Sequence, residues 1–237
     1  LKFIISKVNY FYVCKMVDKD LLTYFEGYLT EKRKLVFQKV LANRTRHFTV
    51  VLEDIYQSHN ASAVVRTCDI FGVQDIHAIE NKYNNKVSRH VAKGSQKWLS
   101  INRYREDTDN TKLCLDKLKG EGYQIIATTP HDDSCHLQDF DVNQKSAFVF
   151  GVEAEGVSDY VKENADGFLK IPMVGFTESL NISVAAAIIL QNLTAKLRNT
   201  EINWQLSNEE KENLYLNWVK QTIKNVDKIE AYYKNQR

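Results

Sequence analysis

Apolar positions return along this chain with two periods, one helical and one of strand type, and their alternation outlines the fold. Between residues 18 and 46, Leu21, Leu22, Phe25, Leu29, Leu35, Val36, Val40 and Leu41 recur at near-helical spacing, which predicts a helical segment. Residues 48–52 (Phe-Thr-Val-Val-Leu) form a short β-branched run that predicts a buried strand. A helix over 61–71 follows, with Gly72 as its stop. Further strands are expected over 75–79, 123–128, 146–150 and 168–171, and a helix over 111–119 closes at Gly120 or Gly122. From Ile182 the chain is rich in small apolar residues and predicts a helix buried nearly all round, in which Ser183 needs a polar partner. Ser207 with Glu210 three residues on reads as a capping box opening an exposed helical tail, along which Leu214, Trp218, Ile223, Val226 and Ile229 line one face.

Strands alternating with helices predict an α/β domain with a mainly parallel sheet flanked by helices, whose ligands bind beyond the carboxyl ends of the strands. The expected organisation is an N-terminal segment with a basic helix (1–47), a central α/β domain (48–198) and a C-terminal helical extension (199–237).

Composition changes this picture little. With 2 prolines and 9 glycines in 237 residues, the chain has no low-complexity character. A formal net charge of only +2 means that any nucleic-acid surface must come from local clustering. Such a cluster exists: Lys32, Arg33, Lys34, Lys39, Arg44 and Arg46 fall on the polar side of the first helical segment, where acids are few, so a surface facing phosphates is expected there. Cys14, Cys68, Cys114 and Cys135 are widely spaced and read as reduced thiols in the cytoplasm. No apolar stretch is long enough to span a bilayer. The first fifteen residues carry Lys2 and Lys7 and no small-residue cleavage site, so no signal peptide is expected, and Met16 is a candidate natural start.

Three segments that follow strands are candidates for chemistry. Asn60-Ala-Ser-Ala-Val-Val-Arg66 opens a helix that Asn60 can cap, and Arg66 sits among apolar neighbours, where its guanidinium needs either a salt bridge or a ligand. Gly151-Val-Glu-Ala-Glu-Gly156 places two carboxylates between glycines right after a strand, a turn tight enough for backbone to approach a ligand. No His or Asp accompanies Glu153 and Glu155 at ligand spacing, so no metal is expected. Ser179 and Asn181 then stand at the start of the helix from Ile182, as a cap or as groups presented to a ligand from a buried helix start. His131, Cys135 and His136 lie close together, but with no fourth ligand they read as a surface loop. Phosphate-loop, dinucleotide and nucleophile-elbow motifs are absent.

Taken in order, Asn60…Arg66, Gly151…Gly156 and Ser179-Leu-Asn-Ile-Ser-Val-Ala185 resemble the three motifs of the SPOUT-class tRNA/rRNA ribose 2′-O-methyltransferase family, over residues 48–198. One departure is Val152, where the family often has Asn before the turn glutamate. The compact core with short helical ends looks most like the members that methylate guanosine 18 in the D-loop of tRNA. The resemblance implies a trefoil knot in the carboxyl half, S-adenosylmethionine as methyl donor, tRNA as substrate and an obligate homodimer with its active site built across the interface. It also implies donor contacts at Thr128, Gly151, Ile171 and Leu180. Arg66 would be the catalytic residue, engaging the nucleotide's phosphate and assisting deprotonation of the ribose hydroxyl. Asn60 would orient it, Ser179 and Asn181 would order the substrate side, and Glu153 would brace the loops. Lys32, Arg33, Lys34, Arg44 and Arg46 would grip the RNA backbone. A ribosomal RNA methyltransferase, or a non-catalytic RNA-binding protein of the same fold, would share these features.

Overall fold

The structure, a computed structural model, describes residues 17–83, 88–106, 109–129, 134–153 and 155–236. Cys14, Met16 and His131 lie outside the described residues. The chain divides into two compact units, residues 42–206 and a second unit of the N-terminal residues to 41 together with 207–237.

The larger unit is built on seven strands: β1 (Phe48–Glu53), β2 (Asp75–Ile79), β3 (Ser100–Tyr104), β4 (Gln124–Thr128), β5 (Cys135–His136), β6 (Ser146–Phe150) and β7 (Gly167–Lys170). They form one sheet in the order β3-β2-β1-β6-β4-β7-β5, every pair parallel. β1 and β6 are buried along their whole length, which is why their runs are largely apolar rather than alternating. Side chains nevertheless leave the sheet on alternate faces. Phe48, Val50, Leu52, Phe148 and Phe150 pack on the face covered by α3 (Ser58–Phe71) and α7 (Ile182–Arg198). Val51, Ala147 and Val149 pack on the other, with Leu115 and Leu118 of α5 (Asn110–Gly120) and Val161 of α6 (Asp159–Asn164). A short helix, α4 (Arg89–Ala92), and a 3-10 turn over Ser95–Lys97 connect β2 to β3.

The chain winds outward from β1 through β2 to β3, then crosses back to place β4 beyond β6. Such a reversal opens a crevice at the carboxyl ends of the central strands. α3 ends as expected, with Gly72 at φ +80°; a Cβ there would sit 2.4 Å from the Asn43 carbonyl oxygen.

The smaller unit holds α1 (Lys19–Glu26), α2 (Glu31–Leu41), α8 (Asn208–Thr222) and α9 (Val226–Asn235). The single helical segment expected over 18–46 is therefore two helices, interrupted after Glu26 and finished at Leu41. Phe37 and Leu41 turn inward, leaving Leu35 and Val36 exposed. Phe37 packs edge-on against Tyr215 and Trp218, and the Tyr215 hydroxyl donates to Glu26 at 2.7 Å. The C-terminal segment is thus no exposed tail: Leu214, Tyr215, Trp218 and Val219 are buried, although the Ser207–Glu210 capping box forms as expected. Cys135 and His136, expected in a surface loop, instead form the edge strand β5 against Leu169 and Lys170. β3 was not anticipated, because Ser-Ile-Asn-Arg-Tyr carries little apolar signal.

Candidate active site

Described residues at and just beyond the carboxyl ends of β4, β6 and β7 line a cleft of about 670 Å³, counting the space open to solvent at its mouth. Phe150, Leu169, Ile171, Met173, Leu180 and Ile189 give it apolar walls, while Thr128, Thr129, Glu153 and Ser179 supply polar groups. Thr128, Gly151, Ile171 and Leu180, the four expected donor contacts, all lie on this lining. Thr129 and Met173 were missed; the first could have been found as the neighbour of Thr128 at a strand end, the second as the apolar residue after Pro172.

The turn that forms one wall is closed by its own backbone. Val152 N–H donates to the Gly156 carbonyl at 2.9 Å, and Gly156 N–H returns a bond to the Val152 carbonyl at 2.7 Å. A Cβ on Gly151 would fall 2.0 Å from the Gly156 carbonyl oxygen, and Gly156 itself sits at φ +72°. Both glycines are required by geometry, one by close approach and one by a left-handed backbone. The departure at Val152 is accommodated because that residue takes part through its backbone.

Beside the cleft, five polar side chains from three distant segments join in one network. Glu153 Oε1 accepts from Asn60 Nδ2 at 2.7 Å and from Asn181 Nδ2 at 2.8 Å. The Asn181 amide also reaches Asn60 Oδ1 at 3.2 Å, and Asn60 Nδ2 donates to Gln57 Oε1 at 3.2 Å. Asn181 Oδ1 accepts from Ser183 N–H at 2.9 Å and from Ser183 Oγ at 2.6 Å, which caps α7 and satisfies the serine. Glu153 thus ties the turn after β6 to the start of α3 and to the start of α7.

Several expectations are corrected here. Asn60 does not cap α3: the helix starts at Ser58, so Asn60 is inside the first turn and nearly fully buried. Nor does it touch Arg66. Six residues along a helix rotate a side chain about 120° from its starting face, and Asn60 gives its amide to Gln57 and Glu153 instead. Arg66 is exposed, does not line the cleft, and makes no hydrogen bond or ion pair among the described residues, which removes the structural salt bridge as its reason. The start of α7 is open to solvent rather than buried, with Ser179 and Asn181 both exposed. The helix itself leaves Val184 and Ile188 at 45% and 38% exposure, so it is not buried all round.

The basic cluster also splits. Lys32 and Arg33 are exposed on α2, with the Arg33 guanidinium 5.8 Å from the Phe37 ring centroid. Lys34 is bonded to Glu31 at 2.8 Å, which holds its pKa above the ordinary lysine value. Arg44 and Arg46 cannot grip RNA as expected. Arg44 is buried to 1% exposure and paired with Asp69, and Arg46 is largely buried and donates to Asp75 Oδ2 at 2.8 Å. Both follow the end of α2 and belong to the sheet unit, where these guanidinium groups tie the chain to α3 and β2.

A family model for the SpoU rRNA Methylase family matches residues 47–191. A tRNA (guanosine(18)-2′-O)-methyltransferase of Borreliella burgdorferi is 43% identical over 203 residues, spanning 86% of this chain and 91% of that relative. Among solved structures, an A. aeolicus TrmH/SpoU tRNA modifying enzyme superposes with a TM-score of 0.71 at 32% identity, covering 82% of this chain and 98% of that one. The SpoU methyltransferase AviRb of Streptomyces viridochromogenes, solved in complex with AdoMet, shares the fold at a TM-score of 0.58 and 22% identity over 69% of this chain and 62% of its own.

Proposed function

The chain belongs to the SpoU rRNA methylase family, and from that premise we propose that it methylates the ribose 2′-hydroxyl of guanosine 18 in the D-loop of tRNA, with S-adenosylmethionine as donor. The observation that carries this reading is the cleft at the ends of β4, β6 and β7, locked to the starts of α3 and α7 through Glu153. Its apolar walls suit a purine ring and an alkyl chain, and its polar rim at Thr128, Thr129 and Ser179 suits the donor's hydroxyl and charged groups. Thr128, Gly151, Ile171 and Leu180 are the residues that would hold the donor.

When bound, the sulfonium supplies an activated methyl group. The chain's own residues must then align the ribose oxygen with it and help that oxygen lose its proton. Arg66 is poorly suited to accept the proton, since a guanidinium stays charged below pH of about 12. It is well suited to hold a phosphate in a bidentate grip. In that role it fixes the nucleotide, and the phosphate can relay the proton. Ser179 and Asn181 order the substrate side, and Glu153 with Asn60 keeps the turn after β6 in register with the starts of α3 and α7.

On this reading the carboxyl half of the domain is knotted as a trefoil and two copies form a homodimer, so that each site receives Arg66 from the other copy. Open apolar surface supports the assembly: Val174 and Phe176 are fully exposed, and Val184 and Ile188 stand one turn apart on α7. The enzyme works in the cytoplasm, where its tRNA substrate is found. Lys32, Arg33 and Lys34 contact the RNA backbone.

The test is transfer of label from radiolabelled S-adenosylmethionine to unmodified tRNA transcripts, with ribosomal RNA alongside. Labelled tRNA is the expected result. Label on ribosomal RNA alone would replace the substrate, and label on neither would overturn the proposal.

A further inference from the structure

Two tyrosines stand open on loops that leave the same edge of the sheet as the cleft. Tyr56 lies between β1 and α3, and Tyr83 lies four residues beyond β2. Their rings meet edge to face, with centroids 5.0 Å apart and planes 70° apart. Edge-to-face contact satisfies the quadrupoles of both rings but covers little of either. Tyr56 is left 69% exposed and Tyr83 40%. A single exposed aromatic needs no explanation, whereas two in contact form a patch with unused stacking faces.

The described residues that flank them are held in place. Asp54, at φ 51°, accepts the Lys82 backbone N–H at 2.7 Å, and the Asn81 amide donates to Thr111 Oγ1 at 3.0 Å. Gln57, the residue after Tyr56, accepts from Asn60. The aromatic pair is therefore one residue away from the network that Glu153 organises. Charge stands beside it as well. Lys82, next to Tyr83, is 63% exposed and faces Glu155 at 3.6 Å, a contact too long and too solvated to hold the ammonium firmly. A phosphate could take the place of that carboxylate.

Exposed aromatic faces beside an exchangeable cation are the elements with which proteins hold unpaired nucleotides, each base stacking on a ring while its phosphate meets the charge. We propose that Tyr56 and Tyr83 form a stacking platform for an unpaired base of the RNA substrate, with Lys82 engaging the adjoining phosphate. The inference rests on the methyltransferase reading above. Unpaired loop nucleotides can be splayed out of their stack, and an open ring is then a replacement partner for the target base or its neighbour's.

The experiment compares the full chain with Tyr56→Ala, Tyr83→Ala, Tyr56→Phe and Tyr83→Phe. Its readouts are KM for an unmodified tRNA transcript and quenching of a 2-aminopurine placed in the D-loop of that transcript. Each alanine variant should raise KM on the order of tenfold and relieve the quenching, because base–aromatic stacking contributes about that much per base. Donor affinity and melting temperature should not change, and both phenylalanine variants should match the wild type. Unchanged KM and quenching in the alanine variants of an active enzyme would overturn the platform while leaving the methyltransferase reading intact. Loss of donor binding, a change in oligomeric state, or equal loss in the phenylalanine variants would also overturn it, by giving the rings another role. If the wild type methylates nothing, the methyltransferase reading fails, and the quenching comparison still decides the platform.

Discussion

Replacing Glu153 with alanine should loosen the site and lower stability by an amount that the network specifies. The carboxylate oxygen Oε1 accepts two amide hydrogen bonds, from Asn60 at 2.7 Å and Asn181 at 2.8 Å. Their costs differ. Asn181 is exposed, so water replaces its lost partner, whereas Asn60 is 3% exposed and its Nδ2 keeps only the longer bond to Gln57. A hydrogen bond to a charged group is worth about 1.5–3 kcal/mol, and a buried donor left without it costs about as much. The expected loss is therefore about 2–3 kcal/mol, nearly all of it through Asn60. In a chain of this size that corresponds to a melting temperature lower by about 4–12 °C. Glu153→Gln retains an acceptor oxygen and should lose less than half of this. The decisive assay is a double-mutant cycle followed by thermal melts. In an Asn60→Ala background the cost of Glu153→Ala should shrink sharply, and in an Asn181→Ala background it should persist. A melting temperature within about 1 °C of wild type for Glu153→Ala, or the same loss in both backgrounds, would refute the reasoning.

Other predictions follow from the same structure. Arg66→Ala should abolish methyl transfer while leaving donor affinity intact and stability within about 0.5 kcal/mol, since the side chain is exposed and without partners among the described residues; activity equal to wild type would remove Arg66 from the mechanism. Arg44→Ala should cost about 3 kcal/mol in urea unfolding by stranding Asp69, whereas Lys32→Ala with Arg33→Ala should leave unfolding unchanged and flatten the salt dependence of tRNA binding; the reverse pattern would restore Arg44 to the RNA surface. Burial holds the His77 pKa down to about 3, and burial lowers His47 in the same direction. The unfolded rings gain protons below about pH 6.5 that the folded ones refuse. Stability should thus be full above that pH and fall towards pH 3, by up to about 1.4 kcal/mol per pH unit from His77. His77→Asn should make the decline in urea midpoint from pH 7 to 5 shallower, and identical slopes would contradict the assignment. Gly151→Ala should abolish donor binding, because the new Cβ would fall 2.0 Å from the Gly156 carbonyl oxygen and force the turn apart; retained affinity, read by calorimetry, would show that the turn is not a wall of the donor site.

What could be read from the sequence followed the physics of each element. β1, β2 and β6 announce themselves because strands buried along most of their length are largely apolar. β3 lies at the edge of the sheet, and β5 is a two-residue strand at the opposite edge; neither has such a requirement, and both went unseen. Arg44 and Arg46 fit the polar side of a helix by spacing alone. Their actual partners, Asp69 and Asp75, are 25 and 29 residues away, and nothing local reports a pairing at that range. The same holds for the site. The capping of α7 by Asn181 was legible from neighbouring residues, but its meeting with Glu153 and Asn60, 28 and 121 residues distant, was legible only through the ordered motifs that resemble a known family.

The most direct test of the central claim is an alkaline hydrolysis ladder of an unmodified tRNA transcript after incubation with the enzyme and S-adenosylmethionine. A 2′-O-methyl group removes the hydroxyl that cleaves the adjoining phosphodiester, so the modified position appears as a missing band. A single gap at guanosine 18 is expected, absent when Arg66 is replaced by alanine. A complete ladder, or a gap elsewhere, would contradict it.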